Sequence, residues 1–186
     1  MMRLVFFLFV LFGSVNVYAQ TSKYTTNSGH IWFFSDAPLE DITAHNKQVQ
    51  VILDKSTGDM AFKVVMKNYL FDKAEMQKHF NEKSWLDTQT YPNSTFEGKI
   101  TNLSEVDFGK DGVYNVSVTG KLTMKGVVKT ITQKGTVEVK AGKILLKSKF
   151  KIDVTQYGVK IPADNVTKIN KNIEINIDAT LSPYVR

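Results

Sequence analysis

Period two runs through most of this chain. Ile173, Ile175, Ile177, Ala179 and Leu181 alternate with Glu174, Asn176, Asp178 and Thr180, the pattern of a strand with one buried face. The same alternation sets Val49, Val51 and Leu53 against Gln48 and Gln50. It sets Met60, Phe62, Val64 and Met66 against Ala61, Lys63, Val65 and Lys67. Phe96, Gly98 and Ile100 share one face, as do Tyr114, Val116, Val118, Gly120, Leu122 and Met124. Ile144, Leu146, Ser148, Phe150 and Ile152 form another. Residues 127–139 read as a strand kinked at Gly135, and the apolar run Ile31–Phe34 completes a set of about eight strands.

Turn signals separate these runs: Ser56-Thr57-Gly58-Asp59, Gly109-Lys110-Asp111-Gly112, Lys125-Gly126 and Ala141-Gly142-Lys143. Such short connections join antiparallel neighbours, because a parallel crossover needs about a dozen residues or more. The exception is 72–86, which predicts a helix with Asp72 as cap, Glu75 three residues on, and Met76 and Phe80 on one face. Tyr91-Pro92 closes that excursion. The fold class is therefore all-β and antiparallel with one short helix, and periodicity alone leaves a closed barrel and a two-sheet sandwich both open.

The first residues have a different pattern. Arg3 is followed by the unbroken apolar run Leu4–Phe12, then Gly13-Ser14 and Val17-Tyr18-Ala19. A positive start, a short apolar core and a small-residue site describe a secretory signal peptide, here 1–19 with cleavage after Ala19. The run is too short for a spanning helix, which needs about 20 apolar residues. The expected mature domain, 20–186, is periplasmic or secreted.

Composition narrows the chemistry. With 42% hydrophobic and 23% charged residues the chain is no disordered tail, and with no cysteine it has no disulfide scaffold, thiolate metal site or cysteine nucleophile. Net charge is +6, from 24 Lys+Arg against 18 Asp+Glu. The excess lies at Lys121, Lys125, Lys129, Lys134, Lys140, Lys143, Lys147, Lys149 and Lys151, read as turns and outward strand faces where lysine also guards edges. Arginine occurs only at Arg3 and Arg186, which argues against a nucleic-acid partner and leaves a loose attraction to anionic membranes. His30, His45 and His79 have no metal-ligand spacing, no G-x-S-x-G elbow is present, and Asp153 has no sequence-adjacent partner. No catalytic residue, metal or cofactor is expected, and a dimer is compatible with the sequence.

Three segments in order carry a family resemblance. Residues 76–81 with Tyr91-Pro92 through Phe96-Glu97-Gly98, then Val118-Thr-Gly120-Lys-Leu122 through Gly126-Val-Val-Lys129, then Phe150-Lys-Ile-Asp153 through Tyr157-Gly158-Val159, resemble the signatures of the YceI-like family across residues 24–181. Val154 and Gln156-Tyr157 depart from the family's Arg and Asp-Phe. The resemblance implies an eight-stranded, lipocalin-like antiparallel barrel whose elongated apolar interior holds an isoprenoid or other long lipid, in exported bacterial proteins.

Strand parity then nominates a barrel lining: Val49, Val51, Phe62, Val64, Met66, Phe96, Ile100, Val116, Val118, Leu122, Phe150 and Ile152. Met76, Phe80 and Tyr91 are expected at the tunnel mouth. The expected function is non-enzymatic binding, transport or storage of a long apolar lipid. The alternative is a packed β-domain that binds a protein or polysaccharide through its lysine-rich outer face. An enzyme acting on a greasy substrate ranks last and has only His79 or Asp153 to offer.

Overall fold

The computed structural model describes residues 21–36, 41–161 and 169–185, so the expected signal peptide, 1–19, lies outside the described residues. In chain order the elements are β1 (Lys23–Ser35), β2 (Ile42–Asp54), β3 (Asp59–Val65), β4 (Leu70–Phe71), α1 (Ala74–Asn81), β5 (Asn93–Ile100), β6 (Gly112–Met124), β7 (Val127–Lys140), β8 (Lys143–Asp153) and β9 (Asn172–Pro183). Eight of the strands follow one another as β1-β9-β8-β7-β6-β5-β3-β2, and β2 pairs back onto β1. That last pairing makes a closed barrel and excludes the sandwich. The two-residue β4 adds to β2 through Ala44↔Phe71 and His45↔Leu70. Among the described residues, no helix is long and apolar enough to cross a membrane.

Two hairpins rest on tight turns that need positive φ at both central residues. Lys125 and Gly126 have φ of 48° and 76°, and Ala141 and Gly142 have φ of 48° and 75°. The first turn closes a full thirteen-rung ladder from Gly112↔Val139 to Met124↔Val127. Cross-strand partners share a face, so this register also corrects one lysine. Lys129 pairs with Leu122 and so sits on the inner face beside the hairpin turn, not outside. Its position at the strand end keeps it half-exposed.

The helix is shorter than the expected 72–86. It begins at Ala74 after Lys73, and Asp72 does not cap it. Beyond Asn81 the chain turns by local hydrogen bonds instead. The Asp87 amide donates to the Glu82 carbonyl at 2.8 Å, the Tyr91 amide to the Asp87 carbonyl at 2.8 Å, and the Thr88 hydroxyl to Asn81 Oδ1 at 2.8 Å. Asp87 takes φ of 47°, outside helical space. Short polar side chains that bond to nearby groups compete with helix in this way.

Gly98 and Gly120 face each other across β5 and β6. A Cβ on Gly120 would lie 2.5 Å from the Glu97 carbonyl oxygen, from Gly98 Cα and from Phe96 Cζ. The glycines therefore serve close approach: the Phe96 ring lies flat over them against the barrel wall. Gly120→Ala should cost about 1–3 kcal/mol by overpacking, read as a fall in the urea midpoint at unchanged m-value.

Candidate functional site

The two ends of the barrel are built differently. Leu53, Ile100, Ile144 and Leu181 are fully buried and plug the end where the β2–β3 and β7–β8 turns lie. Toward the other end the interior opens into a 160 Å³ cavity within the barrel and a 480 Å³ cavity beneath α1. Met66, Tyr69, Met124, Ile152 and Ile175 line both, so the two spaces adjoin across these side chains.

Nine of the twelve residues nominated from parity lie on these cavities: Phe62, Val64, Met66, Phe96, Val116, Val118, Leu122, Phe150 and Ile152. Val49, Val51 and Ile100 do not. They are buried inward but packed over, Ile100 against Gly58 at the plugged end and Val49 and Val51 against Gly29. Alternation reports which face a residue takes, and not whether it meets open space. Ile31, Ile131, Ile175 and Ile177 line the inner cavity and were not singled out, although the last two carried the clearest alternation in the chain.

The wall of the inner cavity has a gap. Pairing of β7 with β8 runs only from Lys140↔Lys143 to Gly135↔Ser148. Beyond that fork, residues 127–134 of β7 pair with β6 alone and residues 149–153 of β8 pair with β9 alone. A Cβ on Gly135 would meet the Lys147 carbonyl oxygen at 2.5 Å, and Ser148 Oγ donates to the Lys134 carbonyl at 2.6 Å. Outward-facing Lys134, Thr136 and Lys147 reach the cavity through this opening.

At the open end, residues from four segments form an aromatic cluster. Phe80 of α1 stacks on Phe33 of β1 at 5.9 Å between ring centroids and meets Tyr69 at 5.5 Å and Phe71 at 5.1 Å. Met76 and Phe80 thus stand at the mouth, joined by Trp85 and Leu86. Tyr91 does not line either cavity. Its ring packs over Gly126 in the β6–β7 turn, where an added Cβ would come within 2.7 Å. Lys125 Nζ donates to the Trp85 carbonyl and ties the same turn to the segment that follows α1.

The polar candidates have structural partners. Asp153 accepts from the Thr155 amide at 3.0 Å and from Thr155 Oγ1 at 2.5 Å, and these bonds hold its carboxyl below the ordinary value. It caps the short turn Val154–Tyr157. His79 lines the outer cavity but pairs with Glu82 at 3.2 Å. The barrel-closing pair of strands joins the other two histidines: His30 Nε2 lies 3.0 Å from His45 Nδ1, and Trp32 stacks on His30 at 4.5 Å. Sequence spacing could not show this pair, because β-bulges between Thr26 and Ile31 shift the register. Among the described residues, no group of three or more His, Asp or Glu could hold a metal ion.

The model of the YceI-like domain matches residues 16–181. Three solved structures illustrate the likeness. A polyisoprenoid binding domain from Saccharophagus degradans superposes with a TM-score of 0.74 at 12% identity, covering 88% of this chain and 99% of its own. Burkholderia cenocepacia BcnA gives 0.68 at 19% identity, covering 83% and 96%. The Campylobacter jejuni YCEI protein gives 0.63 at 15%, covering 80% and 88%. No curated protein sequence matches the chain.

The histidine pair gives this barrel a pH-dependent seam. Burial, then His45 and Lys47, hold His30 below its ordinary value, with Asp178 pulling the other way. The unfolded chain takes a proton near pH 6.5 and the folded chain resists it, so stability is full above that value and falls as pH drops through it. The urea midpoint should decline between about pH 7 and pH 5, and His30→Gln should flatten that slope. A wild-type profile that is already flat there contradicts the assignment.

Proposed function

The chain belongs to the YceI-like family, and on that premise we propose that it binds a long apolar lipid of isoprenoid type in the barrel, without chemistry on it. The observation that carries this reading is the pair of adjoining cavities between the plugged end and the aromatic mouth. Its outer part has no Lys, Arg, Asp or Glu among its described lining residues, and its inner part meets lysine only at the β7–β8 gap. Transfer of a hydrocarbon chain from water into such a space is favourable by about 25 cal/mol per Å² removed. Met66, Met76 and Met124 give the walls adaptable contact, which suits a flexible chain more than a rigid ring system.

The Saccharophagus degradans domain that shares the fold is described as binding polyisoprenoid, which supports the choice of ligand class. A binding role also fits the structural part that Asp153 plays in capping the Val154–Tyr157 turn. The features of segment 1–19, read from sequence, support action outside the cytoplasm, as carrier or store. The lysine-rich outer face is partly neutralised by Lys147–Asp178 and Lys149–Glu174 pairs, which weakens the case for it as the main binding surface.

Phe150→Trp tests the reading. Phe150 lines the inner cavity and is half-buried. With a neutral fluorescent lipid, the wild type should bind saturably and the variant should lose most of its capacity, with its unfolding free energy within about 1 kcal/mol of wild type. A filled core would instead lose about 1–3 kcal/mol by overpacking, and a wild type that takes up no probe contradicts the proposal.

A further inference from the structure

Tyr69 is the polar group that stands where the two cavities adjoin. Only 6% of it is exposed, and it lines both the inner and the outer space. Its ring is fixed by Phe33 at 5.5 Å and Phe80 at 5.5 Å, and its amide donates to the Met66 carbonyl at 3.3 Å. Its hydroxyl has no hydrogen-bond partner among the described residues. Buried tyrosine hydroxyls normally find one. The hydroxyl is not sealed within the packing either, since no fully occluded side-chain oxygen or nitrogen lacks a partner. It therefore opens onto the cavity itself.

The neighbouring polar groups behave differently. Ser94 Oγ donates to the Thr123 carbonyl at 2.7 Å, and Ser35 Oγ accepts from the Asn170 amide at 3.1 Å. Ser94 thus spends its proton on the protein, and the Ser35 oxygen is held by the backbone. Burial pushes the Tyr69 phenol above its ordinary value, so it stays a neutral donor across the physiological range. Among the described residues that line the outer cavity there is no Lys, Arg, Asp or Glu, and the His79 imidazole there is paired with Glu82, which favours a neutral oxygen over an anionic head beside Tyr69.

Resting on the lipid-binding reading, we propose that Tyr69 orients the ligand by donating a hydrogen bond to a neutral oxygen, the hydroxyl of a prenyl alcohol or the carbonyl of an isoprenoid quinone. The oxygen sits where the two cavities meet, and the chain extends along the apolar walls. Recognition at this point then turns on the phenol: a ligand without the oxygen leaves it unpaired, and a ligand with it satisfies the group. A neutral hydrogen bond of this kind contributes roughly a factor of 2 to 10 in affinity.

The test compares three neutral probes on the full chain by displacement of N-phenyl-1-naphthylamine: squalene, geranylgeraniol and a short-chain menaquinone. Tyr69→Phe removes only the hydroxyl. The ratio of affinities for the oxygen-bearing probe over squalene should fall about 2- to 10-fold, for geranylgeraniol if the natural head is a hydroxyl and for the quinone if it is a carbonyl. The unfolding midpoint of the unliganded variant should hold or rise, since no protein acceptor is lost. Unchanged ratios for both oxygen-bearing probes overturn the inference while leaving lipid binding intact. A drop in the unliganded midpoint reveals a protein acceptor and also overturns it. A wild type that binds none of the three overturns the lipid reading and this inference with it.

Discussion

Closure of the sheet is the constraint on which the rest of this structure depends. Once β2 pairs back onto β1, every inward residue of eight strands shares one enclosed space. Such a ring is just wide enough for side chains to fill it or for one small ligand to occupy it. This chain does both, in different halves. Branched and fully buried Leu53, Ile100, Ile144 and Leu181 fill one half. In the other, paired glycines let Phe96 lie against the wall, and the centre stays open.

The open half is also where the strands are least tied. The β7–β8 ladder ends at Gly135↔Ser148, so an unpaired strand edge borders the inner cavity on one side. At the mouth, Phe80 is brought by a two-turn helix into a cluster with Phe33, Tyr69 and Phe71. That helix makes few contacts beyond β4. Elements held by little packing open at low cost. The open half is thus bordered by the aromatic mouth on one side and by the β7–β8 gap on another, both apart from the plugged half.

Much of this was legible in the sequence. Strict alternation along 173–181, 144–152 and 114–124 fixed the strands and their inward faces, because the period of a half-buried strand is a property of each strand alone. What parity could not supply was which inward residues meet open space: Val49, Val51 and Ile100 have the same alternation as Phe62 and Phe150, yet are packed over by their neighbours. The mouth was harder still. Phe33, Tyr69, Phe71 and Phe80 come from separate segments, two of them from a stretch without usable periodicity, and only the closed topology collects them. Residues 82–86 misled in the opposite direction, since their helix-compatible composition is overruled by turn bonds around Asp87 and Thr88.

The central claim is that the open half of the barrel is a binding site and not a packing fault. The most direct measurement is a crystal structure of the protein purified without detergent or added lipid from a host that makes isoprenoids. The account predicts continuous, elongated electron density running from Phe150 and Ile131 past Tyr69 to the underside of Phe80. Side chains collapsed into that volume, or isolated water peaks in place of a chain, would contradict it.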